Sequence, residues 1–95
     1  MRRAAHTDSN QAEIVDALRA AGASVEPKLA RVGEGCPDLI VGIRGVTTLF
    51  EIKDGKKPKS KRALTEDEKK WHTAWSGSLY IVESAEQALQ ILATL

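Results

Sequence analysis

The stretch Pro37-Asp38-Leu39-Ile40-Val41-Gly42-Ile43-Arg44-Gly45-Val46-Thr47-Thr48-Leu49-Phe50-Glu51-Ile52-Lys53 decides how this chain folds. Two β-prone runs, Pro37 to Ile43 and Val46 to Lys53, flank Arg44-Gly45, a pair suited to a tight two-residue connection. Such a short loop fixes the register. With Ile43 opposite Val46, counting outward pairs Gly42 with Thr47, Val41 with Thr48, Ile40 with Leu49, Leu39 with Phe50 and Asp38 with Glu51. Side chains alternate across a strand, so Leu39, Val41, Ile43, Val46, Thr48, Phe50 and Ile52 share one face. Asp38, Glu51 and Lys53 share the other. The first face reads as core and the second as chemistry, although a bulge at Gly42 or Gly45 would shift the pairing by one residue.

Directly opposed side chains have β-carbons roughly 4.5 to 5.5 Å apart. Two ionised carboxylates at that separation repel by about 3 kcal/mol at an effective dielectric of about 20. A divalent cation between them turns the repulsion into a hard-oxygen ligand set, since Mg²⁺ takes one or two protein carboxylates and completes its shell with water and phosphate oxygens. Lys53, on the same face, can stabilise a developing oxyanion or orient an attacking water. This donor set points to metal-dependent phosphodiester cleavage. The plainer alternative is a surface Glu51–Lys53 pair with Asp38 capping a turn.

Gly35-Cys36-Pro37-Asp38-Leu39-Ile40 followed by Phe50-Glu51-Ile52-Lys53 resembles the PD-(D/E)XK nucleases and, within them, the small VRR-NUC group. The resemblance continues through the basic stretch after Lys53. It then takes in Leu64-Thr65-Glu66-Asp67-Glu68-Lys69-Lys70-Trp71-His72, which is similar to that group's helix bearing a Gln and, three residues later, a Trp. It spans Gln11 to Val82 and implies an α/β, restriction-endonuclease-like core. Such a core has a central mixed β-sheet flanked by helices in the order α-β-β-β-α-β-α, here as a single domain over residues 1–95. It also implies that Asp38 and Glu51, with the Ile52 carbonyl, hold Mg²⁺ or Mn²⁺ while water attacks the phosphorus in line and Lys53 stabilises the developing charge. Products with a 5′ phosphate, a homodimer, and a branched DNA substrate such as a Holliday junction follow from the same resemblance. The first helix of these nucleases often carries a Glu, and in the VRR-NUC group a Gln, so Gln11 is carried over as a further catalytic residue; the equal alternative is a buried Gln that merely bonds to backbone. Where that group has Gln on its later helix, this chain has Glu68. Two rivals stand beside this reading: a nucleic-acid-binding module without turnover, and a less selective nickase or restriction-type enzyme.

Ninety-five residues make one domain. A domain of that size buries only about 60 to 68% of its unfolded surface, so dimerisation is a physical supplement. A symmetric junction also needs two symmetric cuts. An apolar content of 42% argues for a folded chain. The single cysteine, Cys36, excludes an internal disulfide and offers no zinc pattern; beside the Pro-Asp corner it reads as a small packing residue rather than a nucleophile. No signal peptide or membrane-spanning run is read, so the expected setting is a reducing cytoplasm, that of the host if the chain is phage-encoded.

Net charge is only +1, but it is unevenly spread. Lys53 to Arg62 holds six basic residues against one acid, Asp54, and Arg2 and Arg3 add charge at the start. Lys56, Lys57, Lys59, Lys61 and Arg62 leave the strand that carries Glu51 and Lys53, which places them to follow a phosphate backbone and release its counterions. The alternative is a solvated loop. No aromatic residue interleaves the run, so it carries no signal for base stacking.

The remaining elements read as follows. A first helix runs from about Ser9 to Ala21, with Ile14, Val15, Leu18 and Ala21 inward, Gln11 near the centre of that stripe and Gly22 as its stop. Glu13 points nearly opposite and either closes a capping box with Asn10 or faces solvent, and Asp8 is a further candidate carboxylate. A strand from Ser24 to Val32, broken at Pro27, suits a sheet edge. Thr65 caps the next helix, with Glu68 either completing a capping box or lining the metal site. Trp71 and Trp75 read as core or dimer-interface residues and His72 as surface. A last strand, Ser78 to Glu83, precedes a Ser84–Gln87 capping box and a helix that packs Ala88, Leu89, Ile91 and Leu92.

Overall fold

Arg44 and Gly45 both take positive φ, 48° and 79°, as a two-residue turn matched to the strand twist requires of its central pair. The computed structural model describes residues 8–95 and orders them as helix α1 (Gln11–Ala20), strands β1 (Ser24–Glu26), β2 (Leu39–Ile43) and β3 (Val46–Ile52), helix α2 (Glu66–Ala74), strand β4 (Leu79–Val82) and helix α3 (Ala85–Leu92). Arg2 and Arg3 lie outside the described residues. Short 3₁₀ turns at Leu29–Val32 and Lys59–Lys61 complete the path.

The hairpin has the register its turn dictates: Ile43 pairs with Val46, and the ladder runs unbroken to Leu39 and Phe50. The sheet order is β1-β2-β3-β4, antiparallel except for the parallel β3–β4 pair, so the sheet is mixed and β1 and β4 form its edges. Its two faces differ as alternation requires. Leu39, Val41, Phe50 and Ile52 are fully buried against Ile14, Val15 and Leu18 of α1 and Ala88 and Leu92 of α3. Helix α2 sits over the opposite face, where its side chains reach Glu51 and Lys53. A glycine makes that approach possible. Gly35 takes φ +85°, and a Cβ there would run into the backbone of Asp67, so α2 lies directly on the turn that leads into Pro37-Asp38.

Several expected boundaries move. Strand β1 stops at Glu26 instead of reaching Val32, because Pro27 has no N–H for the ladder and the chain winds into a 3₁₀ turn that leaves Val32 exposed. Helix α1 begins at Gln11 without the Asn10–Glu13 box. Asn10 Nδ2 instead donates to the carbonyls of Lys53 and Glu83, both at 3.2 Å, and ties the helix start to the ends of β3 and β4. Ala21 lies past the end of α1 and is exposed, as is Val46 beside the hairpin turn. On α3, Ala88 and Leu92 are buried and Ile91 packs against the core, whereas Leu89 faces solvent. Ser84 caps that helix by accepting from Gln87 N, but the Gln87 side chain takes the N–H of Glu83 rather than that of Ser84. The tryptophans are not core residues either: Trp71 is half-buried and Trp75 is 43% exposed, the two rings stacked 5.0 Å apart.

Candidate active site

Asp38 lies in a bend just before β2, where its N–H donates to the Phe50 carbonyl at 3.1 Å; because Phe50 is already paired with Leu39, the expected Asp38–Glu51 pair is not part of the ladder. Its carboxyl group nonetheless lies within hydrogen-bonding reach of that of Glu51. Its Oδ2 accepts the N–H of Ile52 at 2.7 Å, which fixes the carboxylate between the strands. In a strand the N–H and C=O of one residue leave by the same edge, so the Ile52 carbonyl faces this side too. Asp38 and Glu51 are 8% and 2% exposed, and Lys53 is 9% exposed. The hairpin brings Asp38, Glu51 and Lys53 to one place, with Ile52 held against Asp38.

Helix α2 supplies the rest. Thr65 Oγ1 accepts from Glu68 N while Glu68 Oε1 accepts from Thr65 N, the reciprocal capping box expected there. The same Glu68 oxygen receives Lys53 Nζ at 2.7 Å. Cap and site contact are therefore one arrangement, not alternatives. One turn further on, His72 Nε2 lies 3.2 Å from Glu51 Oε1, with its side chain 13% exposed. Read as a surface residue from sequence, His72 is a member of the site. The signal for it was its spacing: four residues from Glu68 places both on the same helical face.

Burying two carboxyl groups side by side disfavours charging both of them. Burial first, then the charge of Asp38 and a hydrogen bond to it, pushes the Glu51 carboxyl up to about 10. Burial likewise raises Asp38, although the Ile52 N–H opposes the shift. Burial alone would lower Lys53, but its bond to Glu68 and the charges of Glu68, Glu51 and Asp8 lift it above its ordinary value. Glu68 goes the other way, since Lys53 and the Thr65 N–H outweigh burial and hold it low. Burial keeps the His72 imidazole below its usual range. Cys36 is buried and its thiol is pushed up by burial and by Glu51 and Asp38, as suits a packing residue.

The start of α1 contributes differently from expectation. Gln11 Nε2 donates to the Pro27 carbonyl at 3.1 Å, and no hydrogen bond joins it to Asp38, Glu51 or Lys53. The loop after β1 passes close enough to take the amide. Glu13 is exposed. Asp8 is the acid near the site: its charge acts on both Asp38 and Lys53, and it lies 4.0 Å from Lys57.

The basic segment is anchored by Asp54, which accepts from Ser9 Oγ and from Lys56 N, each at 3.0 Å; these bonds hold its carboxyl below the usual range. Lys56, Lys59 and Lys61 are exposed. Arg62 is committed to Glu83, with Nη1 2.9 Å from Oε2, because the 3₁₀ turn brings it to the end of β4.

The donor set fits a hard divalent cation. Two buried carboxyl groups lie side by side with a backbone carbonyl near them, and their raised proton affinity marks a place where a bound cation would favour the ionised forms. No three His, Cys, Asp or Glu side chains form a cage among the described residues, so water and phosphate oxygens would complete the shell. No helix among the described residues is long and apolar enough to cross a membrane.

No protein-family model matches the sequence, and no curated protein matches it significantly. A solved structure described as a VRR_NUC domain superposes with a TM-score of 0.64 over 90% of this chain and 97% of that one, at 21% identity. The chain therefore has the fold of a VRR_NUC domain: a four-stranded mixed sheet between helices in the order α-β-β-β-α-β-α.

Proposed function

We propose that this chain is a metal-dependent endodeoxyribonuclease. The observation that carries the reading is the neighbouring carboxyl groups of Asp38 and Glu51, buried together beside Lys53. A purely structural ion pair would join opposite charges and would not bury two carboxyl groups beside each other. The VRR_NUC fold supports a nuclease-type domain, and with it DNA as the partner.

Asp38, Glu51 and the Ile52 carbonyl would hold Mg²⁺ or Mn²⁺, which when bound supplies Lewis-acid polarisation of the phosphate and activates a water. The chain's own residues do the rest. Lys53 lies 4.0 Å from Glu51 Oε2, so its ammonium can stabilise the negative charge that builds on the phosphate oxygens as water adds and the P–O3′ bond breaks. A 3′-hydroxyl and a 5′-phosphate result. Lys56, Lys59 and Lys61, exposed just beyond Lys53, would follow the backbone and neutralise phosphates, with Lys57 beside them near Asp8. In this reading selectivity comes from DNA shape, and branched DNA cut by a homodimer is the substrate class we favour.

Cleavage of labelled four-way junction, flap, single-stranded and linear duplex DNA tests this reading, with light scattering on the same sample. Paired cuts confined to the junction by a dimer are expected. Equal cutting of all substrates by a monomer would replace junction selectivity with a general nickase, and tight binding without cuts would leave a binding module.

A further inference from the structure

We propose that His72 is a positioning residue for Glu51, and that α2 thereby decides which carboxylate oxygen is offered to the cation and the phosphate. This rests on the nuclease reading of the site. His72 Nε2 meets Glu51 Oε1 at 3.2 Å, and both side chains are shielded, 13% and 3% exposed. An ionised carboxylate only accepts hydrogen bonds, so whenever Glu51 is charged Nε2 carries the proton and donates. One of the two lone pairs of Oε1 is then committed to His72, which leaves Oε2 the freer oxygen. Oε2 is the oxygen that faces Lys53, at 4.0 Å.

The contact belongs to a two-point clamp. Glu68 and His72, four residues apart on α2, hold Lys53 and Glu51, two residues apart at the end of β3. Helical and extended spacings match only when both elements are fixed, and α2 is fixed by the Thr65–Glu68 box and by its seat on Gly35. Partners that orient a metal-ligating side chain typically change metal affinity or activity by about 10- to 100-fold when removed.

The test compares His72→Phe, which keeps a ring without a donor, with His72→Gln, whose amide can still donate; His72→Ala replaces the Phe variant if the larger ring does not fit. Mn²⁺ binding to the full chain is measured by calorimetry, and kcat and KM are measured on the DNA that the wild type cuts. Loss of the donor should weaken Mn²⁺ binding and lower kcat by about 10- to 100-fold with little change in KM, and Gln should recover most of both. Wild-type Mn²⁺ affinity in the donor-less variant, equal damage in both variants, or no Mn²⁺ uptake by the wild type would each overturn the proposal. A wild type that binds Mn²⁺ in a His72-dependent way yet cuts no DNA would sink the nuclease reading and leave the positioning role standing.

Discussion

Lys53 makes its short contact with Glu68, Nζ to Oε1 at 2.7 Å, and stands 4.0 Å from the nearer oxygen of Glu51. The cation expected to stabilise developing charge is thus held by the cap of a helix. Glu68→Gln removes the competing charge but keeps a side chain able to accept the Thr65 N–H. Cleavage should be retained or increased, because Lys53 is freer to turn to phosphate. Glu68→Ala should lower stability by about 1 kcal/mol through loss of half the capping box, which a thermal melt reads directly.

Glu51 makes stability depend on pH in an unusual sense. Its folded carboxyl holds a proton up to about 10, whereas its ordinary value is 4.5. Between those values the folded state binds more protons than the unfolded one, so stability falls as pH rises through that window. Asp38, also raised, adds in the same direction. In EDTA the melting temperature should therefore drop from pH 5 to pH 8, and Glu51→Gln should flatten the profile. Added Mg²⁺ should recover stability far more at pH 8 than at pH 5. A metal-insensitive profile that rises with pH would contradict the buried-pair account.

The basic segment divides into exposed and tied cations. Replacing Lys56, Lys59 and Lys61 with Ala should reduce the slope of log K against log salt for duplex binding by about 2 to 3, at little cost in melting temperature. Arg62→Ala should act the other way, lowering the melting temperature because it strands half-buried Glu83, with a smaller change in salt slope. Filter binding across a salt series separates the two.

Phe50 and Trp75 calibrate the core. Phe50 is fully buried, and Phe50→Ala should cost about 3 to 5 kcal/mol. Trp75 is 43% exposed and stacks only on Trp71, so Trp75→Ala should cost about 1 kcal/mol. Denaturant melts give both values, and acrylamide should quench much of the wild-type tryptophan emission.

The hairpin was legible because a two-residue turn leaves one register, which holds from Ile43–Val46 to Leu39–Phe50; one residue further Asp38 leaves the ladder, yet its carboxyl still reaches Glu51. Thr65 and Glu68 were legible for the same local reason, since a capping box needs only four consecutive residues. His72 was not, because its partner lies 21 residues away and the helix face that meets β3 depends on tertiary packing. For Gln11 the helical angle gives only the inward direction; between a site contact and a bond to backbone, the loop after β1 decides by presenting the Pro27 carbonyl. Spacing gives the direction in which a side chain points. It does not say what arrives there.

The most direct measurement is cleavage of a labelled four-way junction by wild type and by Lys53→Ala, each with Mg²⁺ and with EDTA. Cuts by the wild type that require Mg²⁺ and vanish in the variant are expected if Asp38, Glu51 and Lys53 form one catalytic site. Cuts that persist in EDTA or in Lys53→Ala, or their absence from the wild type under every condition, would contradict it.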